Sequence, residues 1–119
     1  MGHRTGIGTI INNTDTEWKI THLESGKVFL LGHFSNISLS CDLIFGWVSN
    51  SSEMEQRALE FRTLGGGDVV HWLMFQTFAT SEIAFVVVPG TFETRVNTGV
   101  VAGCAGVTID GTLTAFRIF

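Results

Sequence analysis

From residue 37 to 47 every odd position is apolar: Ile37, Leu39, Cys41, Leu43, Phe45 and Trp47. The first even positions between them are Ser38, Ser40 and Asp42. A strand sends successive side chains to opposite faces, so this segment has one apolar face and one wet face. A helical period cannot generate such a run. The chain is therefore read as a sheet protein that buries one side of each sheet, with 37–48 as one long strand.

The rest of the sequence repeats the pattern in shorter pieces. Strands are expected over 6–12, 17–23, 28–34, around Leu59 and Phe61, and over 69–78, 83–88, 91–97, 100–109 and 112–119. Segment 69–78 is apolar on both faces, which marks a central strand. Segment 91–97 sets Phe92, Thr94 and Val96 against Glu93 and Arg95. Turns fall at Ser25-Gly26, at Gly65-Gly66-Gly67-Asp68, at Pro89-Gly90 and at Asp110-Gly111, the last a strong hairpin signal. Ser52 precedes Glu55 by three residues, a capping-box spacing that allows one helical turn over 52–56. The expected fold is an all-β, antiparallel β-sandwich of about nine short strands in a single domain, 1–119.

Composition removes several function classes. The net charge is −4 and no Lys/Arg cluster occurs, so phosphate-driven nucleic-acid binding is not expected. Attraction to strongly anionic lipid is disfavoured for the same reason. No His has a partner at metal-ligand spacing, so no metal and no cofactor is expected. There is no Gly-x-Ser-x-Gly motif, and the glycine-rich turn lacks the Lys-Ser/Thr of a phosphate loop. The chain is therefore read as non-enzymatic.

Residues 1–9 are polar and glycine-rich, so no signal peptide is visible. The expected location is cytoplasmic as synthesised, or outside the cell by a route without such a peptide, with peripheral membrane association. Cys41 and Cys104 are far apart and form no redox motif. The expectation is two buried free thiols; a disulfide is the alternative. Three sequons begin at Asn12, Asn36 and Asn50, and each asparagine is read as a turn former. The chain is 45% hydrophobic, and its last third carries few charges around 83–88 and 100–107, so a homo-oligomer is expected.

The aromatic set points to binding. Ten Phe and three Trp occur without Tyr. Trp favours boundaries between apolar and wet surroundings. Trp47 ends a strand at a polar loop, and Trp72 follows His71 beside the glycine-rich turn. Aromatic side chains at loop ends suit a sugar or lipid head-group site.

In order along the chain, Ile10-Ile11-Asn12-Asn13-Thr14, Ser25-Gly26-Lys27-Val28, Phe45-Gly46-Trp47, Leu59-Glu60-Phe61, Gly67-Asp68-Val69-Val70-His71-Trp72 and Ala105-Gly106-Val107-Thr108-Ile109 resemble segments of the aegerolysins, small acidic β-sandwich proteins. The family's aspartate after that tryptophan is Leu73 here. The resemblance implies a protein that binds membrane lipid, often as one half of a two-part cytolysin whose perforin-like partner inserts. The candidate ligand-binding residues are His71 and Trp72, with Trp47 added from its loop-end position. The partners so implied are membrane lipid head groups or glycans. The alternatives are an avidin-like β-barrel that binds a small ligand, suggested by Gly8-Thr9 with Asn12 and by Gly32-His33-Phe34, and a purely structural homo-oligomer.

Overall fold

The computed structural model describes residues 3–65 and 67–118. Gly66, the middle of the expected glycine-rich turn, and Phe119, the end of the expected last strand, lie outside the described residues, as do Met1 and Gly2. Among the described residues eleven strands form, rather than about nine. They are β1 (Gly6–Asn12), β2 (Glu17–His22), β3 (Lys27–Leu31), β4 (Asn36–Ile44), β5 (Trp47–Val48), β6 (Leu59–Leu64), β7 (His71–Thr77), β8 (Glu82–Val87), β9 (Val96–Val100), β10 (Cys104–Ile109) and β11 (Leu113–Arg117). One short helix, α1 (Ser51–Arg57), lies between β5 and β6.

The strands make two sheets that face each other. The smaller runs β11-β10-β1-β4, and the larger β3-β2-β6-β7-β8-β9 with β5 added beside β7. Most pairings are antiparallel; β1 with β10 and β5 with β7 are parallel. Side chains from both inner faces form one core, including Ile7, Ile10, Val107 and Ile109 from the small sheet and Ile20, Phe61, Met74 and Phe85 from the large one. The architecture is a sandwich, and the sheets do not close into the barrel of the avidin-like alternative.

β7 is an interior strand, as its two apolar faces predict. Its inner face adds Trp72 and Met74 to the main core. Its outer face packs Leu73 and Phe75 against Val48, Met54, Ala58 and Val86 in a second cluster. The helix covers this outer patch through Met54, its one buried residue. Much of the apolar surplus of the last third is absorbed inside the protomer, because Ile83, Ala84, Phe85 and Val86 are buried, as are Cys104, Ala105 and Val107. Val87, Val96 and Val100 remain exposed there, and Val28 and Leu30 are exposed on the edge strand β3.

Three local expectations change. The helix starts earlier than Ser52: Asn50 is the cap, its Oδ1 accepting from the Glu53 N–H at 2.9 Å. Glu53 in turn accepts from the Ser49 hydroxyl and the Ser49 N–H. Those two bonds, with Arg57 beside it, hold its carboxyl below the usual glutamate range. Replacing Asn50 with alanine is expected to cost about 1 kcal/mol in a urea or thermal melt, the usual value of a lost N-cap. Segment 91–97 is not one strand. Phe92–Thr94 is a 3-10 turn, closed where the Thr91 N–H donates to Thr94 Oγ1 at 3.0 Å. That turn lays Phe92 against Phe75 on the outer face of the large sheet.

The third change concerns 37–48 and the cysteines. The segment splits into β4 and β5, which join different sheets. Within β4, Ser38 pairs with Thr9 and Leu43 with Ile7, so residues 39–42 stand opposite Gly8 alone. This bulge uses positive φ at Ser40 (53°) and Cys41 (60°). It carries Cys41 across β1 to Cys104 on β10, and the two are joined as a disulfide with Cα atoms 5.9 Å apart. The expected free thiols are therefore corrected, and the reason is three-dimensional: β4 and β10 flank the same strand. The bond crosses over Gly8, where a Cβ would sit 2.7 Å from Cys104 Sγ and 3.2 Å from Cys41 Sγ. Only glycine leaves room for it.

Candidate functional site

At one end of the sandwich β1, β3, β6 and β10 stop and β2, β4, β7 and β11 begin, so four connections meet there. Asn12, the fully buried last residue of β1, ties two of them. Its Nδ2 donates to Thr16 O at 2.7 Å and to Gly32 O at 2.8 Å. Its Oδ1 accepts from the Thr14 N–H and the Thr14 hydroxyl. Every hydrogen-bonding site of the amide is thereby used, two donors and two acceptor lone pairs. The sequon at Asn12 is structural. The Phe34 N–H donates to Thr14 O, a further tie between the same two loops, and the Asn13 N–H donates to Ile109 O, which joins the end of β10 to the knot. The β6–β7 turn is closed by Thr63, whose Oγ1 accepts from the Val70 N–H at 3.0 Å.

Below these loops lies a cleft of about 380 Å³. Its floor is an indole pair: Trp18 of β2 and Trp72 of β7 stack with centroids 5.1 Å apart and planes 21° from parallel. Both strands flank β6, and the two side chains lean toward each other over it. Phe85 meets Trp72 edge-on at 6.0 Å. Trp18 is 3% exposed and Trp72 7%, so both belong to the core rather than to a wet boundary.

The polar groups of the cleft are unequally used. Trp18 Nε1 donates to Thr14 Oγ1 at 3.0 Å. Trp72 Nε1 has no hydrogen-bond partner among the described residues, and no fully buried side-chain nitrogen or oxygen among them lacks one, so this N–H reaches the open cleft. The Thr16 hydroxyl and the Asp68 carboxylate, which also line the cleft, make no hydrogen bond to any described residue. The rim combines two features. Phe34 and Val69, on two of the four loops at this end, are 67% and 78% exposed, and neither lines the cleft itself. Asp15, Asp68 and Asp110 project from three of the loops, and no described cation pairs with them.

Of the three sequence-derived candidates, only Trp72 lines this cleft. His71 is its neighbour on a strand and so points to the opposite face. There its Nε2 lies 2.9 Å from Glu60 Oε2, with Arg62 Nε 3.3 Å from the same oxygen. Trp47 stands at the other end of β7, in register with Gln76, its ring edge-on to Phe78 at 5.7 Å. The structure therefore does not bring His71, Trp72 and Trp47 into one site. Trp18, Thr16, Thr63 and Asp68 complete the cleft and were not singled out by sequence. The one signal for Trp18 is its parity with Ile20, which puts both on the inner face.

Two other hollows are less equipped. A hollow of about 490 Å³ near the far end lies beside Gln76, but that buried amide is already bound to the Thr5 N–H, the Thr5 hydroxyl, His3 O and Ser81 O. A groove of about 470 Å³ on the outer face of the small sheet is lined by the disulfide, Ile11, Phe116 and Ile118, and is mainly apolar. Among the described residues no group of His, Cys, Asp or Glu is placed to hold a metal ion, and no helix is long and apolar enough to cross a membrane. Comparison with protein-family models, curated proteins and solved structures finds no significant match.

Proposed function

We propose that this protein is a non-catalytic binding protein that recognises a membrane lipid head group or a glycan through the loop end of the sandwich, and that it can act as the surface-binding half of a two-part system with a perforin-like partner. The observation that carries the reading is the coincidence, at one end, of a partly unsatisfied polar cleft and two exposed apolar side chains, Phe34 and Val69. Exposed apolar tips beside a cleft let a protein settle on a membrane interface while the cleft takes the head group. The absence of a basic cluster leaves aromatic and polar contacts as the means of attachment. The disulfide fits the exported alternative for location, because such bonds persist in oxidising compartments.

The test is a double substitution at the rim, Phe34→Asn with Val69→Ser. Asparagine suits the positive φ of 51° at position 34. Both side chains are solvent-facing, so the melting temperature should stay close to the parent value. Sedimentation with phosphatidylcholine vesicles that carry a neutral glycosphingolipid should fall by about tenfold or more, the value of a lost apolar anchor. Unchanged sedimentation of the variant, or no sedimentation of the parent with no glycan binding, would overturn the reading.

A further inference from the structure

We infer that the cleft over Trp18 and Trp72 takes an uncharged sugar ring, and that anionic head groups are excluded from it. This rests on the binding reading above and names the ligand class of the same site.

The first ground is donor and acceptor chemistry. An N–H that opens into a cleft without a protein partner is free to donate to a ligand. Trp72 is more than nine-tenths buried, yet its indole N–H is unpartnered and open to the cleft. Around it the Thr16 hydroxyl is unused, and Thr63 Oγ1 accepts one bond and still has a hydrogen to give. The Asp68 carboxylate supplies only acceptors. A ligand that fits must therefore accept from the indole and the threonines and donate to the carboxylate. A ring bearing several hydroxyls does both, because each hydroxyl is donor and acceptor together. The volume, about 380 Å³, falls in the range of small-ligand sites, roughly 300–1,000 Å³.

The second ground is charge. Among the described residues no Lys or Arg lines the cleft. Asp68, though solvent-exposed, lines it, and Asp15 and Asp110 stand on other loops of the same end, so a phosphate or carboxylate would meet repulsion with no compensating cation. The third ground separates a sugar from a quaternary ammonium group. Cation binding by aromatic residues needs an open ring face. Here each indole gives one face to the other, Phe85 crowds Trp72, and little of either ring is exposed. What Trp72 offers is its N–H.

The experiment measures binding of the intact protein to immobilised neutral oligosaccharides, to sialylated ones, and to three vesicle types: phosphatidylcholine alone, with a neutral glycosphingolipid, and with phosphatidylserine. Trp72→Phe keeps an aromatic ring in the core and deletes the N–H. Asp68→Asn and Thr16→Val alter the cleft alone and guard against a folding defect in the first variant. The expected result is binding to neutral sugars, free or in vesicles, reduced about tenfold or more by Trp72→Phe and by Asp68→Asn at an unchanged melting temperature for Asp68→Asn. Binding confined to vesicles assigns the sugar to a glycolipid; equal binding to free oligosaccharides assigns it to a glycan; both support the inference. Binding to sialylated or phosphatidylserine surfaces as strong as to neutral sugars overturns the inference and leaves the surface-binding reading standing. Binding to phosphatidylcholine alone, untouched by the three substitutions, does the same. No binding to any surface overturns both.

Discussion

Replacing Cys41 with serine is expected to cost about 4 kcal/mol of stability, by the loop-closure relation for a crosslink of this span. The bond joins residues 63 apart in sequence, so it removes much freedom from the unfolded chain. In a chain of this size the loss corresponds to a fall in melting temperature of roughly 15–25 °C. A strong reductant should reproduce it in the parent protein. The bond also anchors the four-residue excursion of β4 at 39–42, which holds positive φ at Ser40 and Cys41. Calorimetry of the parent with and without reductant is the measurement. A reduced parent that melts at the oxidised temperature would show that the crosslink does not form in solution.

Trp72→Ala is expected to destabilise the fold by roughly 3–5 kcal/mol, as for other large aromatic side chains cut back in a core. The indole is 7% exposed, stacks on Trp18 and meets Phe85, so its removal leaves a cavity at the floor of the cleft. Binding lost in this variant would therefore report collapse of the cleft rather than a missing contact, which is why the phenylalanine substitution is the informative one. Urea unfolding followed by tryptophan fluorescence gives the value. A cost below about 1 kcal/mol would mean that the ring is not packed as described.

What could be read from the residues was whatever depends on neighbours along the chain. The alternation at Ile37, Leu39 and Leu43 marks β4, and the doubly apolar 71–77 marks an interior strand, because side-chain parity is a local property. Parity also separates His71 from Trp72, since adjacent residues of one strand cannot face one cleft. The alternation of Phe92, Thr94 and Val96 misleads for a physical reason. A 3-10 turn closed by Thr94 satisfies the same polar atoms a strand would, and it gives Phe92 a surface to cover. The helix cap moves to Asn50 because an asparagine at that position has the better reach to the N3 amide than the serine pattern downstream suggests. The cleft itself is assembled from Thr14, Asp68 and Gly111, which lie on three separate loops, with Thr63 at the end of β6. No local pattern announces such a meeting. The disulfide is of the same kind: it exists because β4 and β10 share β1 as a neighbour.

The place of β1 also governs how the molecule comes to exist. This strand lies between β4 and β10, and its parallel partner begins at Cys104. An emerging chain can pair β2 with β3, β6 with β7 and β7 with β8 as successive antiparallel neighbours. The small sheet can pair β1 with β4 early, but its other half, β10 and β11, waits for the end of the sequence. Folds dominated by such distant contacts form in milliseconds to seconds rather than microseconds. The wider sheet is thus the natural early scaffold. Its Trp18–Trp72 pair spans three strands of it, so the floor of the cleft needs only the wider sheet, whereas Gly111 at its edge belongs to the last connection of the chain.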